Sequence, residues 1–231
     1  MNRLHNLDYL RGIAAFGIMI YHYLSWSYGD FEADTFIGRV GVYGVSIFYV
    51  LSGLTLFHVY YTKMSPNFRE VSIFFKKRVF RIFPLLWIVT FASIILAKEL
   101  PNFLSLFYNL TGLFGLVEWD VYFARGAWSI GNELVFYIFF PFFILFLKRY
   151  KILMWILGLL LLGIYIYFAF FILTENLSLE KQWHDYVNPL NQVFLFLGGF
   201  LIGLFFQKIE LKRSLSFALI LFGVVLFIWL P

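Results

Sequence analysis

The run LDYLRGIAAFGIMIYHY, Leu7–Tyr23, is apolar enough for a membrane helix, yet it carries Asp8, Arg11 and His22. On a helix, the step from Arg11 to His22 is about three turns plus 20°. The two side chains therefore share a face, roughly 16 Å apart along the axis. Asp8 lies one turn before Arg11 on the same side, in reach of an ion pair. Polar groups aligned on one face of a spanning helix look into a bundle or a wet path rather than into lipid. Arg11 taken alone also reads as a side chain snorkelling to the headgroups. His22 also reads as a satisfied structural histidine.

The rest of the chain agrees with a membrane setting. Of its 231 residues, 62% are hydrophobic and 13% charged, with a mean hydropathy of +0.83. A water-soluble domain has about twice that charged fraction, roughly 25%. The 32 Phe, 15 Tyr and 7 Trp suit lipid-facing surfaces and interfacial belts. Cysteine is absent, which excludes disulfides and thiolate metal sites. The net charge of +5 is dispersed among loops, so it reads as a topology signal and not as a nucleic-acid patch. The first apolar run is too long, and lacks the small-residue pattern, for a cleaved signal peptide.

Segments near 8–28, 40–62, 79–97, 128–147, 152–174, 189–207 and 214–231 are long enough to span. Their continuous apolar character excludes an alternating barrel pattern. The expected fold is all-α, a polytopic transmembrane bundle in one domain over 1–231. Basic clusters at Lys63–Arg81, Lys148–Lys151 and Lys208–Arg213 belong on the cytoplasmic side, with the N-terminus. Arg39, Lys98, Arg125 and Lys181 fall in the opposite, more acidic loops. If the short apolar piece 103–117 crossed, Lys148–Lys151 would lie outside. It is therefore expected to be re-entrant or interfacial, with a short tilted span as the alternative. Pro231 directly follows an apolar run, which suggests a shortened protein.

Glu133, five residues after Trp128, lies roughly 8 Å below the outer interface, about level with His22. A carboxylate beside an imidazole orients it and favours its protonated form. Glu133 reads equally as a partner of Ser129, Asn132 or backbone, and Trp128 as an interfacial anchor. Arg78 and Arg81 stand one turn apart near the cytoplasmic end, either as phosphate-binding forks or as ordinary anchors. Ser52-Gly53 at mid-membrane permits close helix approach, and Ser52 is a weaker candidate nucleophile. His58 reads as structural. Gly198, Gly199 and Gly203 form a small-residue packing surface. No Walker loop, dinucleotide fingerprint or G-x-S-x-G elbow occurs, and the four histidines lack metal-ligand spacing.

Four stretches together resemble the membrane-bound acyltransferase family 3, O-acyltransferases of bacterial surface glycans. They are Arg11 and His22 with ten residues between them in LDYLRGIAAFGIMIYH, Ser52-Gly53 in IFYVLSG, Arg78 and Arg81 in RVFR, and Trp128, Ser129 and Glu133 in WSIGNELVFY. Their order and spacing agree across roughly residues 7–207. The family usually has more spans, so the resemblance implies that its last helices are missing here. It implies an enzyme of the bacterial cytoplasmic membrane with no bound cofactor. The donor would be acyl-CoA, chiefly acetyl-CoA. The acceptor would be a carbohydrate hydroxyl of lipopolysaccharide, exopolysaccharide or another surface glycan. Arg11, Arg78 and Arg81 would then meet the donor phosphates, His22 would act as base or acyl carrier, and Glu133 would tune it. Asp8, Ser52, Gly53, Trp128 and Ser129 would support them. An ion-coupled transporter and an inactive relative are the competing readings.

Overall fold

The structure, a computed structural model, describes residues 5–29 and 31–229. Regular structure among them is helical. The order is α1 (His5–Tyr28), α2 (Phe36–Tyr60), α3 (Phe68–Ala97), α4 (Phe103–Thr111), α5 (Phe114–Val117), α6 (Ala127–Arg149), α7 (Lys151–Tyr167), α8 (Trp183–Tyr186), α9 (Pro189–Phe206) and α10 (Arg213–Trp229). A π turn, Phe168–Ile172, prolongs α7. Five helices are long and apolar enough to cross a bilayer: α2, α3, α6, α7 with its π turn, and α9. At 24 residues α1 is long enough but falls short of these in apolarity, because its polar face interrupts it. α10 is apolar with 17 residues, and the last two residues of the expected 214–231 segment lie outside the described ones. The chain is thus an all-α integral membrane protein.

α3 starts at Phe68, well before residue 79. The Asn67 side chain caps it, accepting the Glu70 backbone N–H at 2.9 Å, so the helix runs straight through the basic stretch. Its 30 residues extend about 45 Å.

The chain divides into two compact units, described separately: one up to Phe57 together with the part from Gly198 onward, the other His58–Leu197. In the first, α9 lies directly on α2. A Cβ at Gly199 would sit 1.9 Å from the Val50 carbonyl oxygen, so only glycine permits the approach. Arg39 belongs to α2 rather than to an outer loop. It is 8% exposed and donates to the carbonyls of Phe227 (3.0 Å) and Ile228 (3.1 Å). Those carbonyls lie in the last described turn of α10.

The core of the second unit is aromatic. Phe74 stacks on Phe140 (5.0 Å), Phe136 stacks on Phe196 (5.4 Å), and all four are fully buried. Lys148, at the end of α6, donates to the Met64 carbonyl at 2.9 Å, just before α3 begins. The C-terminal end of α6 therefore meets the N-terminal end of α3, and both basic clusters share one end of the unit. It follows that α4 and α5 start and finish at the other end and do not cross, as the charge pattern requires. Gly112, at φ 73°, breaks that segment into helices of 9 and 4 residues, too short to span.

Gly115 of α5 rests on Gly131 of α6, backbone against backbone. A Cβ on Gly115 would meet the Gly131 carbonyl oxygen at 2.5 Å and its Cα at 2.8 Å. Gly115→Ala is expected to cost about 1–3 kcal/mol through overpacking. Gly163→Ala, in open space on α7, should be neutral or slightly stabilising. Unfolding of the two purified variants in detergent separates these outcomes.

Candidate active site

In the first unit the polar face of α1 is engaged with protein. Arg11 is half-buried and donates from Nη2 to the Leu51 carbonyl of α2 at 3.2 Å. That oxygen also accepts the Thr55 hydroxyl at 2.7 Å. Arg11 is thereby tied to the turn carrying Ser52 and Gly53, both buried. Asp8 is half-buried on the same helix, one turn earlier. His22 lies three turns further on, exposed, with its ring stacked on Trp26 (5.8 Å, 23°) and edge-on to Tyr21 (5.2 Å). Arg11, His22, Ser52 and Gly53 belong to the first unit, and Arg78, Arg81, Trp128, Ser129 and Glu133 to the second.

In the second unit Arg78 and Arg81 diverge. Three residues turn a helix by 300°, which is enough to send them to different surroundings. Arg78 turns inward and donates to the Tyr60 hydroxyl at 3.1 Å. Its guanidinium carbon lies 5.6 Å from the Tyr60 ring centre, 5.5 Å from that of Phe74 and 5.4 Å from that of Tyr137. Such a cage holds a cation by the negative faces of its rings. The Arg78 Nε is buried and has no hydrogen-bond partner among the described residues. Arg81 stays exposed and lines an open groove of about 440 Å³ with Ile73, Lys76, Lys77 and Phe80.

Glu133 is half-buried, and its Oε1 accepts the hydroxyl of Tyr137, one turn on. Trp128 is not an interfacial anchor. It is 7% exposed and packed against Trp183 (5.5 Å) and Tyr186 (5.7 Å). Ser129 uses its hydroxyl on the Gly126 carbonyl (2.8 Å), inside the first turn of α6.

Beside Trp128 lies a layer built from the loop before α6 and from α8. The Trp183 indole donates to the Tyr122 hydroxyl at 3.0 Å, and that of Trp119 to the His184 carbonyl at 2.8 Å. His184 pairs with Asp120 at 3.0 Å. Burial pushes the Tyr122 hydroxyl above its ordinary range. Tyr60 and Tyr137 went unnoticed in the sequence. The spacing of Glu133 and Tyr137, one helical turn, was the signal available for the second.

Residues 4–230 match the acyltransferase domain of acyltransferase family 3. The chain belongs to that family. No curated protein and no solved structure matches it. As an acyltransferase it requires an acyl donor and, in general for this family, a carbohydrate acceptor. The match embraces all four sequence stretches and nearly the whole chain, so the residues just described belong to an acyltransferase domain.

The divergence of the two arginines in this acyltransferase has a measurable consequence. Arg78→Met removes the Tyr60 bond and three cation–ring contacts, a loss of roughly 1–3 kcal/mol. Arg81→Ala, at an exposed position, should change stability by no more than about 0.5 kcal/mol. Denaturant unfolding in mild detergent distinguishes the two.

Proposed function

We propose that this acyltransferase takes an acyl group, chiefly acetyl, from cytoplasmic acyl-CoA. It passes that group across the bacterial cytoplasmic membrane to a hydroxyl of a surface or exported carbohydrate. The N-terminus lies in the cytoplasm. The observation that carries this reading is the exposed groove of Lys76, Lys77 and Arg81, walled by Ile73 and Phe80. It offers positive charge to the donor's phosphates beside apolar surface, and α3 shares its basic end with Lys148. Arg11 and the buried Nε of Arg78 supply further N–H donors for the donor arm.

His22 works on the acceptor in one of two ways. As a base it takes the hydroxyl proton while the oxygen attacks the thioester carbonyl and the thiolate of CoA departs. As a carrier its imidazole first displaces the thiolate, and the acyl-imidazole is then attacked by the hydroxyl. Glu133 is the second catalytic group, a carboxylate that accepts the Tyr137 hydroxyl. Asp8, Ser52, Gly53, Trp128 and Ser129 hold the helices that present these groups.

The test uses membrane vesicles from expressing cells, supplied with radiolabelled acetyl-CoA, with label followed into the polysaccharide fraction. His22→Ala is expected to lose roughly 100-fold or more in rate, the usual contribution of a general base. Arg81→Ala should raise the acetyl-CoA concentration needed for half-maximal rate. Label entering polysaccharide at the wild-type rate in His22→Ala would remove His22 from the chemistry.

A further inference from the structure

We propose that Tyr137 is a positioning residue that couples Arg78 to Glu133, making one working unit of the Arg-x-x-Arg and Trp-Ser…Glu stretches. The proposal rests on the reading in which Glu133 takes part in the chemistry.

Tyr137 is 3% exposed, among the buried aromatic rings of the second unit. A phenol hydroxyl in such surroundings needs a partner, and a backbone carbonyl would serve a purely structural tyrosine. Here the hydroxyl is given instead to the carboxylate of Glu133. The geometry follows from the helix. Long side chains lean toward the N-terminus, so a residue at i+4 reaches back over the turn that carries residue i. The same ring lies 5.4 Å from the guanidinium carbon of Arg78 and edge-on to Phe74 at 5.9 Å. Arg78 is fixed from its other side by Tyr60, through both the 3.1 Å hydrogen bond and the ring. One phenol therefore touches the carboxylate with its oxygen and the cation with its ring.

This arrangement does two things for Glu133. The bond to Oε1 sets the carboxylate plane, and with it the direction in which the group can face another side chain. The cation behind the ring offsets the cost of holding a charged carboxylate in apolar surroundings. Arg78 thus acts inward on Glu133 through Tyr137, while Arg81 stands in the open groove.

Tyr137→Phe isolates the bond, because phenylalanine keeps the ring beside Arg78 and the contact with Phe74. The assay uses the full chain in vesicles from a host in which the wild-type chain labels polysaccharide from acetyl-CoA. Affinity for acetyl-CoA is measured alongside on the purified chain. Tyr137→Phe is expected to lower the transfer rate by about 10- to 100-fold, the usual loss when an orienting partner is removed. Its affinity for acetyl-CoA should be unchanged. In the double variant with Glu133→Gln the loss should equal that of Glu133→Gln alone, since both act through one group. Tyr137→Gln keeps a donor at i+4 and should recover part of the rate lost in Tyr137→Phe.

A wild-type rate in Tyr137→Phe, with Glu133→Gln inactive, would overturn the coupling and leave the role of Glu133 standing. Multiplicative losses in the double variant would do the same. Tyr137→Gln no better than Tyr137→Phe would also count against it. A wild-type rate in Glu133→Gln would overturn both the coupling and the reading beneath it.

Discussion

A charged side chain cannot sit in an aromatic interior without compensation, and the second unit is organised around meeting that requirement for Arg78. Three ring faces and the Tyr60 hydroxyl surround its guanidinium. Tyr60 ends α2, Phe74 belongs to α3 and Tyr137 to α6, so the cation gathers three elements at one point. Phe74 and Tyr60 both extend the contact to Phe140, which lies next to Phe196 of α9. The buried phenylalanine core of the unit is in this way continuous with the cage around one positive charge.

The first unit uses arginine differently. Arg11 and Arg39 both spend their guanidinium groups on main-chain carbonyls of other helices. Within lipid, helix association gains little from apolar burial, and hydrogen bonds and close contact carry more of it. Arg39 fastens α2 to carbonyls in the last described turn of α10, and Arg11 fastens α1 to the mid-helix Leu51 carbonyl that Thr55 also uses. The close approach at Gly199 adds the second ingredient, backbone contact without an intervening side chain.

Much of the fold was legible in the sequence because lipid imposes length and apolarity on every crossing segment. The failure of 103–117 to cross followed from the charges alone, and the Lys148–Met64 contact bears it out. Less legible was whatever depends on partners distant in the chain. The start of α3 was missed because the basic run masked a capping asparagine, Asn67. Arg39 was assigned to a loop because nothing near it in sequence announces the end of α10. Trp128 carries the same chemistry whether it anchors at headgroups or packs on Trp183, and only the fold separates these uses. Among the site residues, the types and order were readable, while the inward turn of Arg78 depended on three rings from three helices.

The length of α3 has a mechanical consequence. At about 45 Å it outreaches a hydrocarbon layer of about 30 Å by some ten residues. Arg69, Lys76, Lys77, Arg78 and Arg81 all lie in its first half. A helix longer than the hydrocarbon layer is accommodated by tilting or by leaving its surplus turns outside. The surplus falls at the basic first turns, which leaves their charge to water or headgroups rather than to the hydrocarbon.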